Sequence, residues 1–257
     1  MHQITLGSGK PILLIHGLGS SWRAWQPILD DLAKERSVTA IDLPGHGATP
    51  AQQDSGTFEG LVDSVERYLV TNNLVGIDVV GSSMGARIVL ELARKGKVGN
   101  VVALDPGGFW RGWERRFFST TIGLSASLLR VLRSRLPAIS RSALARSALL
   151  AQLSAKPSAL SPELVCTELT GITDTPTFDA LVHDLANGPE QGGPAADPMR
   201  CIVIGWGKRD WLCLPRQAKR AIAAFPSATL YWFDRSGHFP MWDMPRETTA
   251  VILATTR

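Results

Sequence analysis

Few side chains in this sequence have the type and spacing to do chemistry, and the first of them is Ser83. It stands in Gly81-Ser82-Ser83-Met84-Gly85, between an apolar run at residues 77–80 and a segment of helical periodicity that follows. Glycines on both sides of a serine let a strand and a helix approach closely at a sharp turn, since neither carries a Cβ. The helix start aims free N–H groups and the positive end of its dipole at charge that develops beside the serine. Taken alone, the pattern also fits a glycine-rich turn with an incidental serine, so its partners decide. A serine hydroxyl is a poor nucleophile at neutral pH and needs an adjacent base, itself oriented by a carboxylate. Of the five histidines, His2 is terminal, His16 and His46 sit in His-Gly and Pro-Gly-His-Gly turns, and His183 lies in a helical stretch. His238, in Gly237-His238-Phe239-Pro240 after the last apolar run, is the one placed to swing an imidazole over Ser83. For the carboxylate, Asp210 in Gly205-Trp206-Gly207-Lys208-Arg209-Asp210 is preferred. Asp105, one strand earlier in Asp105-Pro106-Gly107-Gly108, stays open as the alternative, and Asp234 is too near His238 in sequence.

These residues need a frame, and the hydrophobic pattern supplies one. Short apolar runs at Gln3–Leu6, Pro11–Ile15, Ser37–Ile41, 77–80, Val101–Leu104, 201–204 and Thr229–Phe233 read as strands. Between them, apolar residues at helical spacing mark helices: Trp22, Trp25, Ile28, Leu29, Leu32 and Ala33, then Phe58, Leu61, Val62, Val65 and Leu69. Strands that are continuously apolar and alternate with helices predict an α/β fold, a mostly parallel, doubly wound sheet of about seven strands. Ligands bind such sheets beyond the carboxyl ends of the strands, where His16, Asp42, Ser83, Asp105, Asp210 and His238 all fall. The rhythm breaks between residues 109 and 198, which are rich in Leu, Ala, Ser and Arg with scattered prolines. The expected organisation is a core of residues 1–108 and 199–257 with a helical cap, 109–198, inserted late in the chain.

At 257 residues and 44% hydrophobic, the chain is long and apolar enough for one large domain with an insertion. The net charge of +4 is mild but uneven: eight arginines fall between residues 111 and 146 against a single acid, Glu114. A solvated helix face is the plain reading of that run, and the sharper ones are attraction of anionic substrates or transient contact with an acidic membrane surface. No nucleic-acid recognition motif accompanies the charge, so nucleic acid is not expected as a partner. Cys166, Cys201 and Cys213 are odd in number and unpatterned, which predicts reduced thiols in the cytoplasm. There is no signal-peptide pattern, no membrane-length apolar run, no metal-ligand cluster and no phosphate-cradling loop, so neither metal nor cofactor is expected.

Five motifs in this order resemble the α/β-hydrolase fold superfamily over nearly the whole chain: His16-Gly17-Leu18-Gly19, Asp42-Leu43-Pro44-Gly45-His46-Gly47, Gly81-Ser82-Ser83-Met84-Gly85, Gly205 with Asp210, and Gly237-His238 with Pro240. The resemblance implies a Ser83–His238–Asp210 triad and an oxyanion hole formed by the backbone N–H groups of Leu18 and Met84. It further implies a serine carboxylesterase working through an acyl-enzyme. Epoxide hydrolases and haloalkane dehalogenases carry aspartate at the serine position, which disfavours them. One departure is that His16 comes early, so a sheet lacking one edge strand is expected. Tryptophans near the catalytic loops suggest an aromatic-lined pocket for apolar acyl or aryl esters, with Trp110, Trp211 and Phe239 as lining candidates. Two other readings stay open: a C–C bond hydrolase of the meta-cleavage type, which Pro106-Gly107-Gly108 and His238 with Trp242 also resemble, and a non-catalytic small-ligand receptor on the same scaffold. The chain is expected to be a monomer or homodimer.

Overall fold

The computed structural model describes residues 1–256. Its strands are β1 (Gln3–Leu6), β2 (Pro11–Ile15), β3 (Ser37–Ile41), β4 (Asp78–Ser82), β5 (Val101–Leu104), β6 (Ile202–Gly207) and β7 (Thr229–Phe233). They form one sheet in the order β1-β3-β2-β4-β5-β6-β7, parallel throughout except that β1 runs antiparallel to β3 at the edge. The α/β class, the doubly wound arrangement and the strand number expected from the sequence are all present.

Every residue of β4 and β5 is buried, because helices cover both faces of the sheet. Successive side chains of a strand point to opposite faces, and the two apolar layers follow that period. Leu13, Ile15, Val79 and Val101 pack with Leu61, Val65 and Leu69 of α2 (Phe58–Thr71) and Ile88 of α3 (Met84–Arg94). Ile12, Leu14, Val80 and Val102 pack on the other face with Ile28 and Leu32 of α1 (Gln26–Ala33). The closing helix α11 (Pro245–Thr255) adds Ile252 to this second layer, and α9 (Ala218–Ala224) adds Ala218 and Ala221 to the first. A short helix, α10 (Pro240–Asp243), immediately precedes α11.

Helix starts follow local chemistry. The Thr57 side chain accepts from Gly60 N to cap α2, and Ser21 accepts from Arg23 N at a 3-10 turn (Trp22–Trp25) that leads into α1. The sequence read that turn and α1 as one continuous helix; Pro27 favours a start after the turn, since it has no N–H to give. Between β5 and β6 the chain is helical: α4 (Trp113–Leu132), α5 (Leu136–Ile139), α6 (Ala143–Leu149), α7 (Pro162–Asp174) and α8 (Phe178–Asn187). Within this segment α4 packs on α7 and α8, while α7 reaches the Trp22–Trp25 turn and α8 reaches α2.

Register sets the edge that matters. Ile15 pairs with Gly81, Ser82 with Leu104, Leu104 with Gly205, and Gly207 with Phe233, so the carboxyl ends of β2, β4, β5, β6 and β7 lie side by side. β6 runs three residues past the expected end at residue 204. Glycine there reads as a turn in sequence, but Trp206 is wholly buried and pairs with Trp232. A Cβ on Gly207 would lie 2.0 Å from the carbonyl oxygen of Gly237, so the glycine marks where the His238 loop crosses the strand rather than where the strand stops.

Candidate active site

Ser83 sits between β4 and α3 with φ 56° and ψ −114°, a strained conformation for a residue with a side chain. Its N–H donates to Leu104 O at 2.9 Å, which pins the turn to β5. The bend is possible because α3 crosses β2 almost in contact: a Cβ on Gly85 would stand 2.2 Å from Ile15 O and 2.4 Å from His16 O. Met84 opens α3, where amides have no intrahelical partner. Among the described residues, neither the Met84 amide nor the Leu18 amide donates to another residue.

The loop that carries Leu18 is held from below by His16. Its Nε2 accepts from Leu43 N at 3.0 Å while Nδ1 lies 2.7 Å from Gly17 O, a pairing that requires a neutral ring with the proton on Nδ1. Burial drives the His16 pKa down in keeping with that state. His46, 5.2 Å away ring to ring, is lowered to about 3, by burial first and then by His16. Asp42 accepts from Trp22 N, Ala48 N and the His2 ring, each at 2.8–2.9 Å. His16 and Asp42 are thus occupied in shaping loops, and His46 holds Pro44 O through Nδ1 at 3.1 Å while its buried Nε2 has no partner among the described residues.

His238 is wholly buried, and its Nδ1 lies 2.8 Å from Asp210 Oδ2. Asp210 Oδ1 accepts from Leu212 N at 2.7 Å and Cys213 N at 2.9 Å, so this carboxylate is fixed on both oxygens. His238 Nε2 is buried with no hydrogen-bond partner among the described residues, and both His238 and Ser83 line one cavity. Asp105 does not meet the histidine; its Oδ1 accepts from Gly207 N at 2.8 Å. Burial, and then the charge of Asp210, hold its carboxyl well above the usual carboxylate range, as expected when two carboxyls are packed together in the interior.

Asp243 was not singled out in the sequence. It accepts from Gly237 N at 2.7 Å, Ala155 N at 2.8 Å and Ser154 Oγ at 2.6 Å, while His238 N donates to Leu153 O at 2.9 Å. The His238 loop is thereby clamped to residues 153–155, between α6 and α7. Nothing in the local spacing of Asp243, five residues past His238 and beside Trp242, announces that role.

The cavity over Ser83 and His238 encloses about 60 Å³, with Leu18, Met84, Trp110, Phe118, Ile122 and Phe239 among its walls. Trp110 and Phe239, expected there, are present. Trp211 is not: the residue is 65% exposed, at the turn where Asp210 accepts from the Leu212 and Cys213 amides. Among the lining residues is a carboxyl that sequence reasoning missed, Glu168 of α7. Ser20 Oγ donates to its Oε2 at 2.7 Å, its Oε1 is buried without a partner, and burial pushes its pKa up to about 8. The available signal was spacing: Glu168 falls on the face of Leu164, Val165 and Leu169, the buried side of the helix.

Asp210, Cys213 and His238 offer ligand atoms within 4.8 Å of one another. They do not fit a metal. Both Asp210 oxygens are committed, Oδ1 to the Leu212 and Cys213 amides and Oδ2 to His238 Nδ1, which leaves neither the carboxylate nor that ring nitrogen free for an ion.

The profile of the Alpha/beta hydrolase family matches residues 12–251. An uncharacterized protein of Mycobacterium tuberculosis is 25% identical over 257 residues, covering 96% of this chain and 75% of its own length. Among solved structures, a thermophilic esterase from Thermogutta terrifontis superposes with a TM-score of 0.75 at 20% identity, covering 98% of this chain and 91% of that one. A meta-cleavage product hydrolase from Pseudomonas fluorescens gives a TM-score of 0.73 at 18% identity, covering 98% and 92%. At these identities the two structural likenesses speak for the fold.

Proposed function

Because the chain belongs to the alpha/beta hydrolase family, we propose that it is a serine hydrolase that cleaves small apolar carboxylic esters through an acyl-enzyme. The observation that carries this reading is the buried His238–Asp210 pair, with the distal nitrogen of His238 uncommitted in a cavity that Ser83 shares. Asp210, accepting the Nδ1 proton, keeps the Nε2 lone pair free to act as base. Ser83 Oγ attacks the ester carbonyl and gives its proton to Nε2, forming a tetrahedral oxyanion against the Leu18 and Met84 amides. Loss of one such donor costs about 2.7–4 kcal/mol of barrier. As the intermediate collapses, the C–O bond to the alcohol breaks and Nε2 returns the proton to the leaving oxygen. Water, deprotonated by the same nitrogen, then attacks the acyl-enzyme and releases the acid. No metal or cofactor takes part in these steps.

In this reading residues 109–198 are the lid and supply most of the substrate-facing apolar wall, which favours acyl or aryl groups without a fixed charge. Three free cysteines suit a reducing, cytoplasmic setting. A fluorophosphonate probe followed by peptide mapping should label Ser83, and Ser83→Ala should abolish turnover of p-nitrophenyl acyl esters. Label at another residue, or full activity in the variant, would sink the proposal. One feature favours C–C bond hydrolysis as a second reading: Gly107, of the Pro106-Gly107-Gly108 turn, lies in the cavity wall. Loss of a dienone's visible absorbance on mixing with the enzyme would select that reading, and retention of ligand without turnover would point to a receptor.

A further inference from the structure

The helix α4 is apolar on two opposite sides. Glu114, Phe118, Ala126 and Leu129 face inward and are buried. At 100° per residue, Trp113, Leu124, Leu128 and Val131 fall on the other side, where they are 57%, 67%, 51% and 80% exposed. A surface helix ordinarily turns a polar face outward, and an outward apolar stripe marks a face that meets something other than water. Leu144 of α6, 82% exposed, lies further along the same segment. Trp211, also outward-facing, is tied to α4 through Gln152, whose Nε2 donates to Trp211 O and Thr121 Oγ1.

Charge says what that something is. Of the eight arginines in this region, Arg115 pairs with Glu190, Arg130 with Asp179 and Arg133 with Asp174, while Arg146 is buried and donates to backbone carbonyls. Among the described residues, Arg111, Arg116, Arg135 and Arg141 form no ion pair, and all four are exposed. Arg111 and Arg116 flank the start of the stripe and Arg135 follows its end. The one acid of the helix, Glu114, is buried and satisfied by Arg216 and Arg220. A second copy of this chain on a two-fold axis would set like charge against like. A row of Trp, Leu and Val edged by unpaired arginines has the composition of a helix that lies in an anionic membrane interface.

We infer that α4 docks the protein reversibly on an anionic lipid surface, with Trp113, Leu124, Leu128 and Val131 at the headgroup–acyl boundary and the unpaired arginines among the phosphates. The inner face of the same helix supplies Phe118 and Ile122 to the cavity wall, so docking brings the cavity up against the lipid.

Co-sedimentation of the full chain with vesicles tests this. The protein should partition onto phosphatidylcholine–phosphatidylglycerol vesicles, leave them at high salt and ignore pure phosphatidylcholine. The triple variant Leu124→Ser/Leu128→Ser/Val131→Ser should lose roughly tenfold or more in partitioning, given the apolar area removed. It should keep its unfolding midpoint and its activity on a soluble ester, since none of the three lines the cavity. Arg116→Glu/Arg135→Glu should lose partitioning with all stripe residues intact. Failure to bind the mixed vesicles would overturn the inference, as would undiminished binding by the triple variant. A wild-type dimer that the triple variant dissolves would assign the face to a second copy and overturn it equally.

Discussion

Two aspartates compete for one histidine, and distance separates them. Asp210 and Asp105 both follow strand ends, both are buried, and both lie near the His238 loop. Asp210 meets His238 Nδ1 at 2.8 Å, whereas Asp105 is turned toward Gly207 N and is driven toward the neutral acid by burial and by Asp210. On the proposed mechanism the two should respond very differently to amidation. Asp210→Asn would present the ring with a donor, favour the wrong tautomer and lower kcat by about 10⁴. Asp105→Asn keeps an acceptor for Gly207 N and removes only a disfavoured charge, so kcat should stay within about tenfold. Steady-state kinetics on a p-nitrophenyl ester decides, and equal losses in both variants would mean that the acid has been assigned wrongly. Asp210 was preferred in the sequence on its place alone; which oxygen faces which nitrogen was not legible, because a one-residue difference in loop path reverses it.

At the scale of elements, Ser83 is held by the crossing of α3 over β2. Gly85 allows that crossing, since a Cβ there would lie within 2.2–2.4 Å of two carbonyl oxygens of the β2 end and its following loop. Backbone atoms of a central strand do not yield as a flexible side chain would. Gly85→Ala should therefore lower stability by about 1–3 kcal/mol, the usual cost of overpacking. It should also cut activity well beyond what the lost stability explains, because Ser83 and the Met84 amide move with the helix. Urea unfolding followed alongside ester turnover measures both; an unchanged midpoint with full activity would refute the argument. The pattern Gly-x-Ser-x-Gly was readable at once, together with the strand and helix on either side. The His238 loop was only half readable. Its position after β7 was evident, but the Asp243 clamp to residues 153–155 joins segments almost ninety residues apart, and no local pattern announces such a contact.

Across the whole molecule, a buried carboxyl links folding to pH. Burial raises Glu168 from 4.5 to about 8, the Ser20 hydrogen bond opposes that rise, and the charge of Asp42 adds to it. Between those two values the unfolded chain ionises Glu168 while the folded chain keeps its proton. The stability tied to this proton is therefore fully present below about pH 4.5, declines as pH rises, and is lost above about pH 8. Each unit of difference is worth about 1.4 kcal/mol. Glu168→Gln keeps the shape and the Ser20 contact without a titrating group. The stability difference, variant minus wild type, should thus shift in the variant's favour as the pH is raised across that window. Thermal unfolding at a series of pH values gives the difference directly, and a gap that does not change with pH would show that Glu168 is not the group responsible.

What the sequence by itself determined was local and periodic: the alternation of strands and helices, the doubly wound sheet, the strand ends on which Ser83, Asp210 and His238 stand, and the helical nature of the segment between β5 and β6. Each rests on spacing along the chain, which period-2 and period-3.6 burial write into the residue types. Tertiary structure alone decided the rest. It turned Trp211 outward, put Glu168 in the cavity wall, matched three arginines with acids up to 75 residues away and left four others unpaired. Those outcomes depend on which of the helices between β5 and β6 faces which loop. Long-range packing among several short amphipathic helices admits many arrangements with the same local pattern, and only the fold selects one.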